Sequence, residues 1–197
     1  MASHEASVIV LTGPPGAGKS TVARLLGDEL TPSVHLHTDD FWAFIRQGRV
    51  APYLPESKRQ NEVVMRVLVA CAFGYAAGGY QVVVDGVVGP WFVGLFGDEA
   101  ATRRIALHYV VLRPDRETTL ARAVGRDEGA LTDPDPVLHM FEQFGELGAF
   151  DHHALDSTGM SPAQTMHAVR RGLAEETFLL RPDRAGQAQE DRGAHPL

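Results

Sequence analysis

The 197-residue chain carries 18 basic and 25 acidic side chains, a formal net charge of -7 at pH 7. Its length suits one domain with a sizeable core, and its acidity argues against a general nucleic-acid binder because phosphate backbones select basic surfaces. The single cysteine, Cys71, excludes an internal disulfide. The sequence shows no signal-peptide pattern and no apolar run of membrane-spanning length. Together these features predict a soluble cytoplasmic protein without a membrane partner.

In chain order, strand-like apolar runs alternate with helical patterns, which predicts an α/β fold: a five-stranded, mainly parallel sheet with helices on both faces. The strand-like runs are VIVL, SVHLHTDD, YQVVVDGVV, ALHYVVLRP and DHHALDST, and the helical patterns cover residues 20–30, 56–77, 116–126 and 162–177. We expect a single domain over residues 1–180. Residues 181–197 are charged and have little to bury, which predicts a flexible tail.

The segment GPPGAGKST lies between the first strand and the first helix. Glycine lets the backbone approach a ligand closely, and the helix N-terminus offers unpaired N–H groups and a positive dipole end to an anion. The segment contains the phosphate-loop pattern GxxxxGK[ST], whose lysine reaches the β- and γ-phosphates and whose serine binds Mg²⁺. The flanking strand and helix disfavour a chance glycine-rich turn. The predicted nucleotide-binding residues are Gly13, Pro14, Pro15, Gly16, Ala17, Gly18, Lys19, Ser20 and Thr21.

Two carboxylates, Asp39 and Asp40, end the second strand-like run. Ligands of open parallel sheets bind at the carboxyl ends of the strands, so both acids are expected near the phosphate loop. A carboxylate there can orient an acceptor hydroxyl and take its proton during phosphoryl transfer, and Asp39 is the candidate base. The alternative is that both acids cap a helix that starts at Phe41.

The third strand-like run, QVVVDGVV, carries a single acid, Asp85. An acid after four hydrophobic residues is typical of a Walker B carboxylate, which holds Mg²⁺ directly or through water. Gly86 behind it allows close approach of a ligand or of backbone. The alternative, a turn after an edge strand, fits poorly with a run so apolar. Ser20 and Asp85 are thus the predicted metal ligands.

Two arginines, Arg122 and Arg126, follow the fourth strand and stand four residues apart, so a helix places both guanidiniums on one face. We expect one of them to clamp the transferred phosphate from a lid over residues 113–136. The alternative is a solvated helix face on which they pair with acids such as Glu117 or Asp127.

Residues 41–61 mix aromatic and basic side chains and are expected to form an irregular insertion that binds the phosphate acceptor. The candidate substrate residues lie in this insertion and just before it: Asp39, Asp40, Trp42, Arg46 and Arg59. Equally, Trp42 can serve only to pack the insertion onto the sheet.

Four histidines invite interpretation as a metal site: His35 and His37 around the second strand, and His152 and His153 in the fifth. Adjacent strand residues point to opposite faces, so His152 and His153 cannot easily share an ion. Packing or hydrogen bonding at strand ends is the favoured role for all four.

These motifs resemble the P-loop small-molecule kinases, which include gluconate kinase, shikimate kinase and chloramphenicol phosphotransferase. GPPGAGKST resembles their nucleotide loop, TDDFW their strand-end acid, VVVDGVV their third strand and LDSTGMSP a turn that passes near the adenine. The resemblance runs from about residue 8 to about residue 173. It implies a P-loop three-layer sandwich with strand order 2-3-1-4-5, binding of ATP and Mg²⁺ by residues 13–21, Asp39 as the base, and Arg122 or Arg126 as the lid arginine.

The leading hypothesis is an ATP-dependent phosphotransferase that acts on a hydroxyl of a small organic molecule, such as an antibiotic or a sugar-like metabolite, as a monomer or homodimer. A nucleoside or nucleotide kinase is the alternative among enzymes. A regulatory or toxin-type nucleotide-binding module is the alternative outside them.

Overall fold

Five parallel strands form one sheet in the computed structural model, which describes residues 6–125 and 133–181. The strands are β1 (Ser7–Thr12), β2 (Ser33–His37), β3 (Gln81–Asp85), β4 (Ala106–Leu112) and β5 (Ala154–Leu155). Their spatial order is β2-β3-β1-β4-β5, as predicted. Arg126, the neighbouring part of the predicted lid, and the predicted tail from residue 182 onward lie outside the described residues.

Seven helices connect and cover these strands within the described residues. They are α1 (Lys19–Glu29), α2 (Thr38–Ala43), α3 (Lys58–Ala77), α4 (Pro90–Arg103), α5 (Arg116–Val124), α6 (Pro134–Gln143) and α7 (Pro162–Ala174), with 3₁₀ helices at Pro55–Ser57 and Gly148–His153. The four predicted helices are present as α1, α3, α5 and α7, each with ends shifted by a few residues. Helices α2, α4 and α6 were not predicted.

Alternate residues of the central strand β1 feed two separate cores, which produces the predicted three layers. Val8 and Val10 face the core beneath α3 and α4, whereas Ile9 and Leu11 face the core beneath α1 and α7. Every residue of β1 and β3 is buried. The carboxyl ends of β1, β2 and β3 lie side by side at one edge of the sheet, where a ligand crevice forms in such folds.

Two predicted strands end differently from the sequence pattern. β2 stops at His37, and residues 38–40 form the first turn of α2. The helix dipole favours negatively charged side chains in this turn. The proposed alternative, a helix that starts at Phe41 and is capped by Asp39 or Asp40, is wrong: His37 is the N-cap residue and gives no side-chain cap. The fifth strand is only Ala154–Leu155.

His152 and His153 lie in a 3₁₀ helix, so the argument from alternating strand faces does not apply to them. Their rings lie with centroids 4.0 Å apart and are tilted by 46°. His153 is buried, and its Nδ1 donates to the carbonyl oxygen of Tyr109 at 2.9 Å. The role expected from the sequence, packing and hydrogen bonding, is the one seen for His153.

None of the helices within residues 6–125 and 133–181 combines the length and the apolar content that a bilayer span requires.

Candidate functional site

The glycine-rich segment after β1 is a loop held tightly against β4 and α5. A Cβ at Gly13 would lie 2.2 Å from the carbonyl oxygen of Leu112, and one at Gly16 would lie 2.3 Å from that of Thr119. Both glycines also have positive φ, 142° and 85°, which other residues rarely adopt. The loop therefore needs glycine at these two positions in order to dock on its neighbours.

Helix α1 begins at Lys19 with its N-terminal groups turned toward this loop. Within the described residues, no side chain caps the start of this helix, and a helix N-terminus is a place where anions bind. Gly18 has φ 88°, and a Cβ there would meet no atom within 4 Å. The Lys19 ammonium donates to the carbonyl oxygen of Pro14 at 2.9 Å, which folds the side chain over the loop.

A cavity of about 290 Å³ lies along the loop and joins it to two distant segments. Arg122 on α5 contributes to its wall and donates to the carbonyl oxygen of Met160 at 3.3 Å. Met160 belongs to the LDSTGMSP turn, which the family resemblance places near adenine. The remaining lining residues are Gly16, Ala17, Gly18, Lys19, Ser20, Thr21, Val22, Pro162 and Thr165. The cavity thus brings together the predicted loop, one predicted arginine and the predicted adenine turn.

Asp85 ends β3 beside the start of α1 and is fully buried. Its Oδ2 accepts a hydrogen bond of 2.6 Å from the hydroxyl of Ser20. Gly86 follows, and a Cβ there would lie 1.8 Å from the side-chain oxygen of Thr38, so the ends of β2 and β3 approach closely. The structure thus brings the two predicted metal ligands, from segments 65 residues apart, into direct contact.

Two histidines of β2 also contact Asp85. His35 Nε2 lies 2.6 Å and His37 Nδ1 lies 3.1 Å from Asp85 Oδ1. Burial by itself would raise the pKa of Asp85, but the hydrogen bonds from His35, His37 and Ser20 outweigh it and hold that pKa well below its usual range. The bond to Asp85 raises the pKa of His37 against the opposing effect of burial, with Asp39 and Asp40 adding to the rise.

Sequence reasoning assigned these histidines to packing or hydrogen bonding at strand ends and missed their common partner. The signal was present, because His35 and His37 are alternate residues on one face of β2 and His37 pairs in register with Asp85. That register joins residues 48 apart in sequence and depends on the sheet order.

Asp39 and Asp40 lie in the first turn of α2, and both are exposed. The Asp39 side chain is 77 % exposed, and its Oδ2 lies 3.6 Å from Nε2 of His37. Because His37 also contacts Asp85, a continuous series of contacts runs from Ser20 through Asp85 and His37 to Asp39. The candidate base therefore lies at the sheet edge beside the predicted metal ligands.

The segment after α2 is fastened to the start of α3. Trp42 is only 5 % exposed and donates its indole N–H to Asn61 at 2.9 Å, so packing, the alternative considered from the sequence, accounts for its position. Asn61 also donates to the carbonyl oxygen of Pro52 at 2.7 Å. Arg46 and Arg59 are both exposed, and neither makes an ion pair with another described residue.

The residues at this edge fit a nucleoside triphosphate and its magnesium ion. The open space beside Gly18, the uncapped start of α1 and Lys19 suit a chain of phosphates. Ser20 and Asp85 supply the hard oxygen ligands that Mg²⁺ prefers. Among the described residues, no group of three or more His, Cys, Asp or Glu side chains has the arrangement of an all-protein metal site.

A protein-family model described as an AAA domain matches residues 9–133, which is more than half of the chain. No curated protein matches the sequence significantly.

Several solved structures share the fold. A tunicamycin resistance protein of Deinococcus radiodurans has a TM-score of 0.64 at 15% identity and covers 90% of this chain and 99% of its own. A sugar kinase from Janibacter sp. HTCC2649 has a TM-score of 0.62 at 17% identity, with 91% and 98% covered. A gluconokinase from Sinorhizobium meliloti 1021 has a TM-score of 0.61 at 17% identity, with 88% and 95% covered. At these identities the likeness is one of fold.

Proposed function

This chain belongs to the AAA domain family, and from that premise we propose that it is an ATP-dependent phosphotransferase that moves the γ-phosphate of ATP to a hydroxyl of a small organic molecule. The observation that carries the proposal is the series of contacts from Ser20 through Asp85 and His37 to Asp39. It links the residues that suit a nucleotide to an exposed acid suited to an acceptor.

The nucleotide would be held by residues 13–21 and by the cavity that runs to Met160. ATP with Mg²⁺ supplies the transferable phosphoryl group and neutralises part of its charge. Ser20 and Asp85 would hold the metal, and Lys19 would sit against the phosphates as a point charge. Arg122 lines the same cavity and would stabilise negative charge that develops during transfer.

Asp39 would act on the acceptor. Its carboxylate orients the hydroxyl and receives its proton as the hydroxyl oxygen bonds to the transferred phosphorus, with ADP as the leaving group. Its high exposure leaves room for an acceptor beside it. Asp40, its exposed neighbour, is the second candidate for this role.

An antibiotic or a sugar-like metabolite is the acceptor class that we favour, in line with the sugar kinase, the gluconokinase and the tunicamycin resistance protein that share the fold. A single domain over residues 1–180, a cytoplasmic location and a monomeric or homodimeric state stay predictions of the sequence.

The test is ATP consumption with and without a panel of hydroxylated metabolites and antibiotics. We expect turnover to depend on one class of acceptor and to be nearly abolished in Lys19→Ala, because charge stabilisation at the phosphates is lost. Arg24→Ala is the matched control, since Arg24 lies on the same helix, is exposed, and has the i,i+4 contact with Asp28 as its one ion pair among the described residues. Full activity in Lys19→Ala, or turnover that no acceptor changes, contradicts the proposal.

A nucleoside or nucleotide kinase is the second candidate, favoured by the exposed Arg46, Arg49 and Arg59, which form no ion pair with other described residues. Such arginines can grip an acceptor phosphate. Nucleosides and nucleoside monophosphates therefore belong in the panel. For this candidate, Arg46→Ala and Arg59→Ala would raise KM for the phosphorylated acceptor and leave KM for ATP unchanged. A regulatory or toxin-type module would instead bind ATP without turnover on any acceptor.

A further inference from the structure

The buried carboxylate of Asp85 is held by three side chains from two other elements. Ser20 comes from the start of α1, and His35 and His37 come from the edge strand β2. A hydroxyl from the phosphate loop is the partner that the phosphate-loop chemistry already requires. The two histidines are additional and belong to no motif in the sequence.

The contacts with Asp85 indicate which ring nitrogen of each histidine donates to it. An ionised carboxylate only accepts hydrogen bonds, so the nitrogens that face it must be donors. His35 therefore donates through Nε2–H and His37 through Nδ1–H. The two rings reach Asp85 with opposite nitrogens because they start at different heights along β2: His37 pairs with Asp85 in register, and His35 pairs with Val83.

The two carboxylate oxygens of Asp85 have unequal surroundings. Oδ1 accepts from His35 at 2.6 Å, and Oδ2 accepts from Ser20 at 2.6 Å. His37 Nδ1 lies between them, 3.1 Å from Oδ1 and 3.2 Å from Oδ2. The short histidine contact thus holds Oδ1, His37 bridges the two oxygens, and Oδ2 lies beside Ser20.

We propose that His35 and His37 are positioning residues that fix the orientation of the Asp85 carboxylate and present its Oδ2, with Ser20, as the metal-facing edge of the site. The inference rests on the proposed function, because it gives these histidines a role toward the Mg²⁺ that the site would hold. Partners that orient a metal ligand commonly change metal affinity by about 10–100-fold when they are replaced.

His37 also contacts Asp39, the candidate base on the acceptor side. Its Nδ1 faces Asp85, and its Nε2 faces Asp39 at 3.6 Å. One imidazole ring therefore sets the spacing between the metal-facing acid and the candidate base. A change at His37 is expected to affect both, whereas a change at His35 affects Asp85 alone.

The opposite nitrogens allow a crossed set of conservative replacements. Glutamine places an amide N–H near the position of histidine Nε2, and asparagine places one near the position of Nδ1. His35→Gln and His37→Asn therefore keep the donor, and His35→Asn and His37→Gln displace it. All four replacements are neutral and polar, so each mismatched variant has a matched partner at its own position.

The experiment measures Mn²⁺ affinity by electron paramagnetic resonance in the presence of a non-hydrolysable ATP analogue, together with the thermal midpoint of each variant. We expect the matched variants to stay within about threefold of wild type and the mismatched ones to lose about 10–100-fold. Equal affinity in all four variants, or equal loss in all four, overturns the inference.

A second measurement on the wild-type protein does not depend on whether any variant folds. Nitrogen-15 NMR of the histidine rings is expected to show His35 carrying hydrogen on Nε2 and His37 on Nδ1, and the reverse assignment for either ring overturns the inference. The proposed function fails separately: wild-type protein that binds no Mn²⁺ with the ATP analogue contradicts the nucleotide site itself, whereas normal wild-type binding with no effect of the crossed set contradicts only the role of the histidines.

Discussion

Replacing Asp85 with asparagine tests the electrostatic design of the site without any knowledge of the acceptor. The carboxylate is fully buried and accepts hydrogen bonds from Ser20, His35 and His37. Asparagine keeps one acceptor oxygen but directs an NH₂ group at donors, so at least one charge-assisted bond is lost. Hydrogen bonds to charged groups contribute about 1.5–3 kcal/mol each, and removing a buried charge recovers part of that loss.

We therefore expect Asp85→Asn to lower the free energy of unfolding by about 2–3 kcal/mol at neutral pH. For a chain of this size that corresponds to a fall in Tm of about 4–12 °C. Urea unfolding followed by circular dichroism gives the free energy, and calorimetry gives Tm. Asp98→Asn is the control, because Asp98 is exposed on α4 and its replacement should change stability by less than about 0.5 kcal/mol.

The difference in unfolding free energy between wild type and Asp85→Asn should also depend on pH. Because the pKa of folded Asp85 lies below its usual range, the carboxylate stabilises the protein fully above the unfolded pKa near 3.8, and this contribution is lost as the pH falls toward the folded pKa. The gap between wild type and Asp85→Asn should be constant from about pH 5 to 6 and shrink below about pH 4. Equal stability at pH 7, or a gap that widens in acid, refutes the reasoning.

Three further predictions concern separate parts of the site. Asp39→Asn should lower turnover by about 10²–10⁴-fold while ATP affinity and Tm stay unchanged. Asp40→Asn tests the second candidate for the base, and Asp98→Asn, at an exposed position of α4, is the control. Kinetics give the turnover and calorimetric titration gives the ATP affinity, and a fall in ATP affinity would place Asp39 in the metal shell. Gly16→Ala should destabilise the loop by about 1–3 kcal/mol and weaken ATP binding, because its Cβ would lie 2.3 Å from the carbonyl oxygen of Thr119 at φ 85°; an unchanged Tm and unchanged affinity speak against it. Folding raises the pKa of His37 above its usual 6.5, so its stabilising effect is full below pH 6.5 and is lost as the pH rises through the folded pKa. The difference in unfolding free energy between wild type and His37→Phe should therefore be larger at about pH 6 than at about pH 9, and urea unfolding at the two pH values measures it.

The parts of the fold that sequence predicts best are those whose signals are local. β1, the loop and α1 follow from an apolar run, a glycine-rich segment and helical spacing, all within residues 7–29. The long helix α3 follows from the same periodicity over 20 residues. Strand order came from the family resemblance, since local patterns do not specify which strands are neighbours.

The missed elements have weak or competing local signals. α4 carries two glycines and large apolar residues around much of its circumference, so helical periodicity is hard to see. α2 follows β2 without a break, so the sequence pattern places its first residues in the strand. Asp39 and Asp40 in its first turn are favoured by the helix dipole. β5 is two residues long because only Val111 and Leu112 of β4 pair with it.

The candidate site shows the same division. Residues 13–21 and Asp85 are predictable because each motif is contiguous and its chemistry requires those residue types. The contacts of His35 and His37 with Asp85 depend on the register between β2 and β3, which packing of the whole sheet determines. Arg122 was predicted only as one of two helix positions, and its place in the cavity follows from the docking of α5 against Gly16.

Environment also explains how two aspartates at one sheet edge can have different roles. A metal ligand should stay ionised and fixed, and Asp85 meets both conditions because it is fully buried and accepts three hydrogen bonds that hold its pKa low. A general base must instead gain and lose a proton and reach an incoming molecule, which the 77 % exposed side chain of Asp39 permits. If the roles were exchanged, Asp85 would have to take up a proton, and the hydrogen bonds from its three donor side chains disfavour its protonated form. The burial of the two groups thus supports the proposed roles of Asp85 on the nucleotide side and Asp39 on the acceptor side, and His37 lies in contact with both.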